Sequence, residues 1–527
     1  MTTTLPQLIA HAARKFGDEE AIVAPDGRRS FTDVDRLSDE VAKALVAAGV
    51  GRGDHVGICA GNSARWLVVF FGIVKAGAVC VPINTRLKAD EIRYQLGQAR
   101  VRLLFLAGRV LSSDLLAIFD DVARGMAVGF PQSDLPSLET VVLVDDAAHP
   151  SCMAFGAFVA RGLEHALPPP PSPDDPALIQ YTSGTTSLPK GAVLHHSSIV
   201  RNAVAVADRI GMKRGDRYLS PRPFFHVAGM TLAIVLSMHV GAVLVTMTLF
   251  TTEDALALME AESCSHFSGN DTMFLMLLSY PEAAGRLSLR GGWAAATPTI
   301  VERAMSELGA EDLVVAYGLS ETSPNVAVSD YRDSRDDRIA GWMRPHDGLD
   351  VRIADPDNGT ELASGERGEI QVRGWTVMSE YYDKPEETAA ALTPDGFFRT
   401  GDVGVMREDG RIRFVGRIKE IIRVGGENVS PAEIENVLNA HVGIAQAQVV
   451  GVPDARLIEV PAAYVVLKPD VDLTIEAIAA WAQVRLAGFK QPRHFALVAS
   501  FENLGITASG KVQKAKLAQD AKRRFGL

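Results

Sequence analysis

The stretch YTSGTTSLPKG, residues 181–191, sets hydroxyls and a glycine ahead of a proline, a lysine and a second glycine. Segments of that composition are ordinarily surface turns. The same composition also serves chemistry: small side chains let backbone N–H groups approach a polyanion, hydroxyls donate further bonds, and the lysine adds a point charge. Its setting weighs on the second side. A strand, ALIQY, runs into the loop and an apolar strand-like piece, GAVLHH, leaves it. In the Walker pattern the lysine instead opens a helix, so a phosphate grip here is of another kind.

Outward from the loop, glycine-bounded apolar runs alternate with helical patterns. DHVGICAGN reads as a strand and turn, ARWLVVFFGIVKAG as a helix closed by its glycine, and AVCVPIN as another strand. This β-α-β rhythm predicts an α/β fold with parallel-rich sheets covered by helices. ALPPPPSPDDPA (166–177) is stiff polyproline that delivers the chain to ALIQYTS. The charge run DYRDSRDDR (330–338) is expected as a solvated loop. From residue 351 short alternating strands and turns predict a small β-rich subdomain. After 416–421 comes a compact α+β pattern of helix 431–440, strands 447–452 and 462–467, and helix 475–486.

At 527 residues the chain is too long for one core. Its net charge of −11 argues against a general nucleic-acid binder. Cys59, Cys80, Cys152 and Cys264 are scattered, which suits a reducing, cytoplasmic setting with buried thiols rather than a disulfide frame or zinc site. The N-terminus reads as an amphipathic helix after a threonine cap, with no signal peptide. Residues 227–250 carry no charge and are long enough to cross a bilayer. His239 and Gly241 interrupt them midway, so a buried helix and a buried strand are expected there instead of a membrane span.

Three further motifs carry chemistry. AYGLSET (316–322) ends a strand and then offers a hydroxyl and a carboxylate; Glu321 has the hard oxygen that a phosphate-bridging magnesium ion needs. FFRTGDVG (397–404) puts Asp402 after a turn glycine, where a carboxylate can accept both hydroxyls of a ribose, and Arg417 in VGRIKE could reach the same sugar. TASGKVQK (507–514) holds Lys511 on a tight turn of small residues. Standing alone, the glutamate and lysine motifs read better as exposed groups.

Together and in this order the motifs resemble those of the AMP-forming adenylating enzymes: acyl-CoA synthetases, aryl-CoA ligases, luciferases and the adenylation domains of peptide synthetases. Acyl-CoA synthetases are closest in motif, and the resemblance covers nearly the whole chain. It implies a large N-terminal domain (1–416), a hinge (417–421) and a small mobile C-terminal lid (422–527). It also implies ATP, Mg2+ and CoA acting on a small carboxylic acid, medium-chain or aromatic, in two steps through an acyl-AMP. No nucleic acid and no membrane span are expected, and a homodimer is an admissible assembly.

The resemblance also distributes roles. Thr182, Ser183, Gly184, Thr185, Thr186 and Lys190 hold the β- and γ-phosphates. Tyr317, Gly318 and Ala296 flank the adenine, Ser320 the α-phosphate, and Glu321 binds the metal. Asp402 and Arg417 match the ribose contacts, and Lys511 bridges the attacking carboxylate and the α-phosphate. His226, in RPFFHVAGM, matches a ring beside the acyl pocket that gates the thiol's path; a packed core histidine is the alternative. Lys419 falls at the hinge, and Gly425 and Gly426 match the loop lining the CoA channel.

The sequence departs from these relatives at four places. Ser187 replaces a usual glycine, and Ala295 and Ala296 replace a glycine pair. Asn270 and Asp271 stand where an apolar residue and proline are common. Asp271 is either a substrate-pocket carboxylate or a helix N-cap. Leu457 and Ile458 stand where glycine often precedes the glutamate. Two other readings follow: the same adenylation with a different nucleophile or anion (carrier-protein thiol, amine or nitrite), or a catalytically silent binding protein on this scaffold.

Overall fold

The computed structural model describes residues 3–123, 130–145, 147–182, 188–283, 285–425, 427–505 and 512–527. The chain forms two compact units from alternating stretches: the first from residues 1–268, 318–326 and 374–392, the second from 269–317, 327–373 and 393–527.

In the first unit the expected β-α-β rhythm is present. Strands His55–Cys59 and Val79–Pro82 pair in parallel and helix Ala64–Lys75 joins them. Leu103–Leu106 and Thr140–Leu143 extend the sheet in parallel on one side. On the other, Pro176–Thr182 runs parallel to Val79–Pro82 and Lys190–His195 returns antiparallel, with Thr182 opposite Lys190. Strand Leu103–Leu106 is buried at every residue, as a parallel sheet covered on both faces requires. Helix Ala64–Lys75 is apolar nearly all round and therefore sinks into the core. Its buried cation, Lys75, is matched there by Asp35 and Asp39, each 2.5 Å from the ammonium.

A second sheet of this unit runs through Gly27–Ser30, Glu20–Ala24, Val243–Val245 and Arg217–Leu219. The N-terminal helix Leu5–Phe16 is capped by Thr4 in a reciprocal box with Gln7, a device that contributes about 1 kcal/mol. The charge-free 227–250 segment breaks where its sequence does. Helix Val227–Gly229 continues as a π-helical stretch Met230–Val235 and as Leu236–Val240, Gly241 closes it, and strand Val243–Val245 follows. Among the described residues no helix is long and apolar enough to cross a membrane. Cys59, Cys80 and Cys264 are buried thiols, and burial pushes Cys59 up to about 12.

The second unit contains the parallel pair Gly291–Ala295 and Asp312–Tyr317, followed by the short antiparallel strands Ala327–Val328 and Arg344–Pro345. The expected β-rich piece is a four-stranded sheet of Leu349–Ala354, Arg367–Gly374, Phe398–Met406 and Ile412–Arg417. Residues 422–527 add a five-stranded sheet built on the hairpin Ile444–Asp454 and Ile458–Leu467. Strand side chains alternate between faces. Val449 and Val465 accordingly pack with Leu438 and Ile478 of helices Pro431–Asn439 and Ile475–Arg485, while Val450 and Tyr464 pack with Leu517 of helix Lys514–Phe525. These compact units divide the chain differently from the expected partition into 1–416, 417–421 and 422–527.

The charge run 330–338 is not a solvated loop. Asp333 and Arg338 are buried, and Arg335–Ile339 is a short helix. Asp333 accepts from Arg344 (2.7 Å) and Arg411 (2.9 Å), and Arg338 donates to the carbonyls of Glu311 (2.5 Å) and Leu313 (3.0 Å). Burial of these two charges is tolerated because each finds its partners within the unit.

Ile458 explains why glycine suits its position. Its φ is +71°, in the left-handed region that β-branched residues avoid, and its side chain is 66% exposed. Ile458→Gly should stabilise the chain by about 0.5 kcal/mol in chemical denaturation. Relief of roughly 1–2 kcal/mol of strain outweighs roughly 0.5–1 kcal/mol of added chain entropy. Ile458→Ala keeps a Cβ and should gain nothing. A glycine variant less stable than the parent would contradict this account.

Candidate functional site

Two clusters of the expected residues form, one in each unit. In the first unit the hairpin ends of the 181–191 loop face each other, and Thr182 Oγ lies 3.4 Å from the Lys190 carbonyl. Ser183, Gly184, Thr185, Thr186 and Ser187 lie outside the described residues. The Lys190 ammonium sits over the Tyr381 ring, 4.2 Å from its centroid. The Tyr381 hydroxyl donates to Glu321 Oε1 at 2.8 Å. Burial, and after it the adjoining carboxylate, hold this phenol well above its usual range, so it stays a donor.

Glu321 lies in the 3₁₀ turn Ser320–Thr322, and the turn is fixed from several sides. Met378 N–H donates to the Glu321 carbonyl (2.8 Å), Thr376 Oγ lies within reach of the Thr322 and Asn325 carbonyls (2.5 and 3.0 Å), and Asn202 Nδ2 donates to Asn325 O (2.8 Å). Gly318 permits this fold-back: a Cβ there would meet Pro324 O at 2.0 Å.

Among the described residues no group of three or more His, Cys, Asp or Glu side chains would cage a metal. Magnesium with phosphates commonly needs only one or two carboxylates. Glu321 fits that need: one oxygen is anchored by Tyr381, and the other accepts no hydrogen bond among the described residues.

His226 caps helix Val227–Gly229, its Nδ1 accepting the Ala228 N–H at 3.2 Å. That bond places the proton of the neutral ring on Nε2 and opposes free rotation. Gln180 Nε2 donates to the Phe225 carbonyl (3.2 Å), tying the strand before the loop to the residue before His226.

In the second unit Tyr317 ends strand Asp312–Tyr317, and its hydroxyl donates to Asp402 Oδ2 at 3.0 Å. Asp402 does not follow a turn. It lies inside strand Phe398–Met406, after Gly401, whose φ of +69° places an irregularity in an otherwise extended strand. Asp402 is cross-strand from Arg417, with Oδ1 3.4 Å from Nε. Burial, then the Asp402 charge, push the Tyr317 phenol well above its usual range. Phe414 stacks on Tyr317 at 5.6 Å between centroids and remains 39% exposed, which leaves aromatic surface beside a buried carboxylate. A nucleoside, with a flat base and a vicinal diol, suits that pair of features.

Ala296 follows strand Gly291–Ala295 and is half-buried. Asp271 is not the helix cap. Asn270 fills that role, its side chain accepting from Met273 N–H, and Asp271 Oδ1 accepts the Thr297 N–H at 2.7 Å. Lys419 is exposed in the short 3₁₀ helix Ile418–Glu420. Gly425 donates its N–H to Leu457 O at 2.8 Å. Gly426 and Lys511 lie outside the described residues. Sequence reasoning misses Tyr381 and Phe414. The available signal for the first is an aromatic pair in the polar stretch SEYYDKPEET.

Comparison with known proteins gives two family matches: AMP-binding enzyme over residues 9–382 and AMP-binding enzyme C-terminal domain over residues 433–511. The chain is similar to the mitochondrial medium-chain acyl-CoA ligase ACSF2 of Danio rerio, 31% identical, with 100% of this chain and 89% of the relative covered. It is similar in structure to the anthranilate CoA ligase AuaEII in complex with anthranoyl-AMP, with a TM-score of 0.89, 25% identity and 100% of both chains covered. It is similar also to ATP-bound MatB from Rhodopseudomonas palustris, with a TM-score of 0.84, 26% identity and 100% of both chains covered.

Proposed function

We propose a substrate class and a set of residue roles for a chain that belongs to the AMP-binding enzyme family. The chain is an adenylate-forming acid–CoA ligase that uses ATP. The acid assigned here is a medium-chain or aromatic one without a cationic group. The observation that carries this choice is Asp271, whose carboxylate is engaged by the Thr297 amide rather than reserved for a substrate ammonium. The wholly buried, largely apolar stretch Met230–Val235 and the substrates named for two similar proteins support the same choice.

In the first half-reaction a carboxylate oxygen of the acid attacks the α-phosphorus of ATP. The bond to the bridging oxygen breaks, pyrophosphate leaves, and an acyl-AMP remains. Thr182, Ser183, Gly184, Thr185, Thr186 and Lys190 hold the departing phosphates, and Ser320 holds the α-phosphate. Tyr317, Gly318 and Ala296 flank the base, while Asp402 and Arg417 take the ribose. Glu321 would hold a magnesium ion, which would supply charge neutralisation for the phosphates. Lys511 offsets the negative charge that develops between acid and phosphorus.

In the second half-reaction the CoA thiolate attacks the acyl carbon and AMP leaves with the electron pair of the broken C–O bond. Rotation about Lys419 in the 417–421 hinge replaces Lys511 by the loop of Gly425 and Gly426, and His226 borders the acyl carbon.

The test is pyrophosphate release with ATP and magnesium across fatty, aryl and amino-aryl acids, with and without CoA. Release with medium-chain or aryl acids and CoA-dependent thioester formation are expected. A preference for amino acids, or turnover indifferent to CoA, would overturn the assignment.

A further inference from the structure

Tyr381 touches both charged groups of the first-unit cluster. Its segment is stitched alongside strand Lys190–His195 by main-chain bonds: Ser379 N–H to Val193 O (3.1 Å), Val193 N–H to Glu380 O (3.0 Å) and Tyr382 N–H to Gly191 O (2.7 Å). Ala192 and Tyr381 are register partners, and Met378 N–H reaches the Glu321 carbonyl. The side chain is thus aimed by two separate pieces of chain. It is nearly fully buried, at 5% exposure.

The two ends of that side chain do different things. The ring face carries the Lys190 ammonium at 4.2 Å, and the hydroxyl grips one oxygen of Glu321 at 2.8 Å. Lys190 and Glu321 form no ion pair with each other among the described residues. A collapsed lysine–glutamate pair would neutralise both groups before any phosphate or metal arrived. An aromatic ring satisfies the ammonium without cancelling its charge. A hydroxyl satisfies one carboxylate oxygen and leaves the other to coordinate.

We propose that Tyr381 is a positioning residue that holds Lys190 and Glu321 apart and aims the second Glu321 oxygen at the metal of the metal–nucleotide complex. This inference rests on the ligase reading and adds to it a residue that acts through Glu321.

Tyr381→Phe keeps the ring under Lys190 and removes only the grip on Glu321; Tyr381→Leu removes both. Mn2+ serves as the probe, with its affinity for the enzyme–ATP complex read by electron paramagnetic resonance. Metal-free ATP affinity is read by calorimetry in EDTA. Tyr381→Phe should weaken Mn2+ binding about tenfold, the scale of losing a partner behind a metal ligand, and leave metal-free ATP affinity within about twofold of the parent. Tyr381→Leu should lower both. In a Glu321→Gln background the Phe substitution should add no further loss of Mn2+ affinity, since the carboxylate it aims is gone.

Unchanged Mn2+ affinity in Tyr381→Phe overturns the proposal, as does an undiminished Phe effect in the Glu321→Gln background. A parent enzyme that binds no Mn2+ with ATP and releases no pyrophosphate with any acid would instead overturn the ligase reading itself. A parent that does both beside an unaltered Phe variant sinks only the role of Tyr381.

Discussion

Lys511→Ala should slow acyl-adenylate formation by roughly 10²–10³-fold, about 3–4 kcal/mol of barrier. Transfer of the acyl group from preformed acyl-AMP to CoA should change little. The asymmetry follows from the proposed division of labour: the ammonium counters charge only while acid oxygen and phosphorus approach each other. Nearby cations do not replace it. Lys514 is committed to the Glu435 carboxylate at 2.6 Å and the Val449 carbonyl at 3.2 Å. Moving it would leave the buried Glu435 carboxylate without its cation, bonded among the described residues only to the Val449 N–H. The two half-reactions are measured separately, by acid-dependent pyrophosphate release and by thioester formation from synthetic acyl-AMP. Equal loss in both would contradict the hinge model, and no loss in either would remove Lys511 from the chemistry.

The second large effect is expected at Asp402. Asp402→Ala should raise the KM for ATP about 30-fold, the scale of losing hydrogen bonds to a charged acceptor. The carboxylate is 2% exposed and already accepts the Tyr317 hydroxyl, with Arg417 at 3.4 Å. Alanine therefore removes the proposed diol acceptor and strands a buried phenol as well. Tyr317→Phe separates these contributions, because it keeps the carboxylate and deletes only the phenol; its KM should rise far less. Similar KM values for Asp402→Ala and the parent would show that the ribose is held elsewhere.

The larger architecture is legible in the sequence because it depends on periodicity. Ala64–Lys75 is apolar around nearly its whole circumference and is buried, and the strand–helix–strand order around it is the one observed. Glycine and histidine at the middle of 227–250 correctly divide a helix from a strand, although the π-helical geometry of Met230–Val235 leaves no mark on composition. The burial of Asp333 and Arg338 is illegible for a different reason: their partners Arg344, Arg411, Glu311 and Leu313 lie outside the run that contains them. Tyr381 is hidden in the same way. Its importance comes from a register with Ala192 and a bond to Glu321, and neither separation is visible in a local window. Asp402 is found for its charge, yet its setting is misread. Glycine before aspartate signals a turn locally, whereas a neighbouring strand on either side makes it an irregularity within a sheet.

The alternation of the two units along the chain bears on synthesis. The polypeptide passes between them at 268/269, 317/318, 326/327, 373/374 and 392/393. Domains usually condense as they leave the ribosome, the N-terminal one first. Here the leading 268 residues must wait, since two later insertions belong to the same core. One insertion delivers Glu321 and the other Tyr381, so the Lys190–Tyr381–Glu321 cluster cannot assemble on a nascent chain until that tyrosine has emerged. Neither unit can be released intact by one proteolytic nick, and a gene truncated at any single codon encodes at most one of them whole.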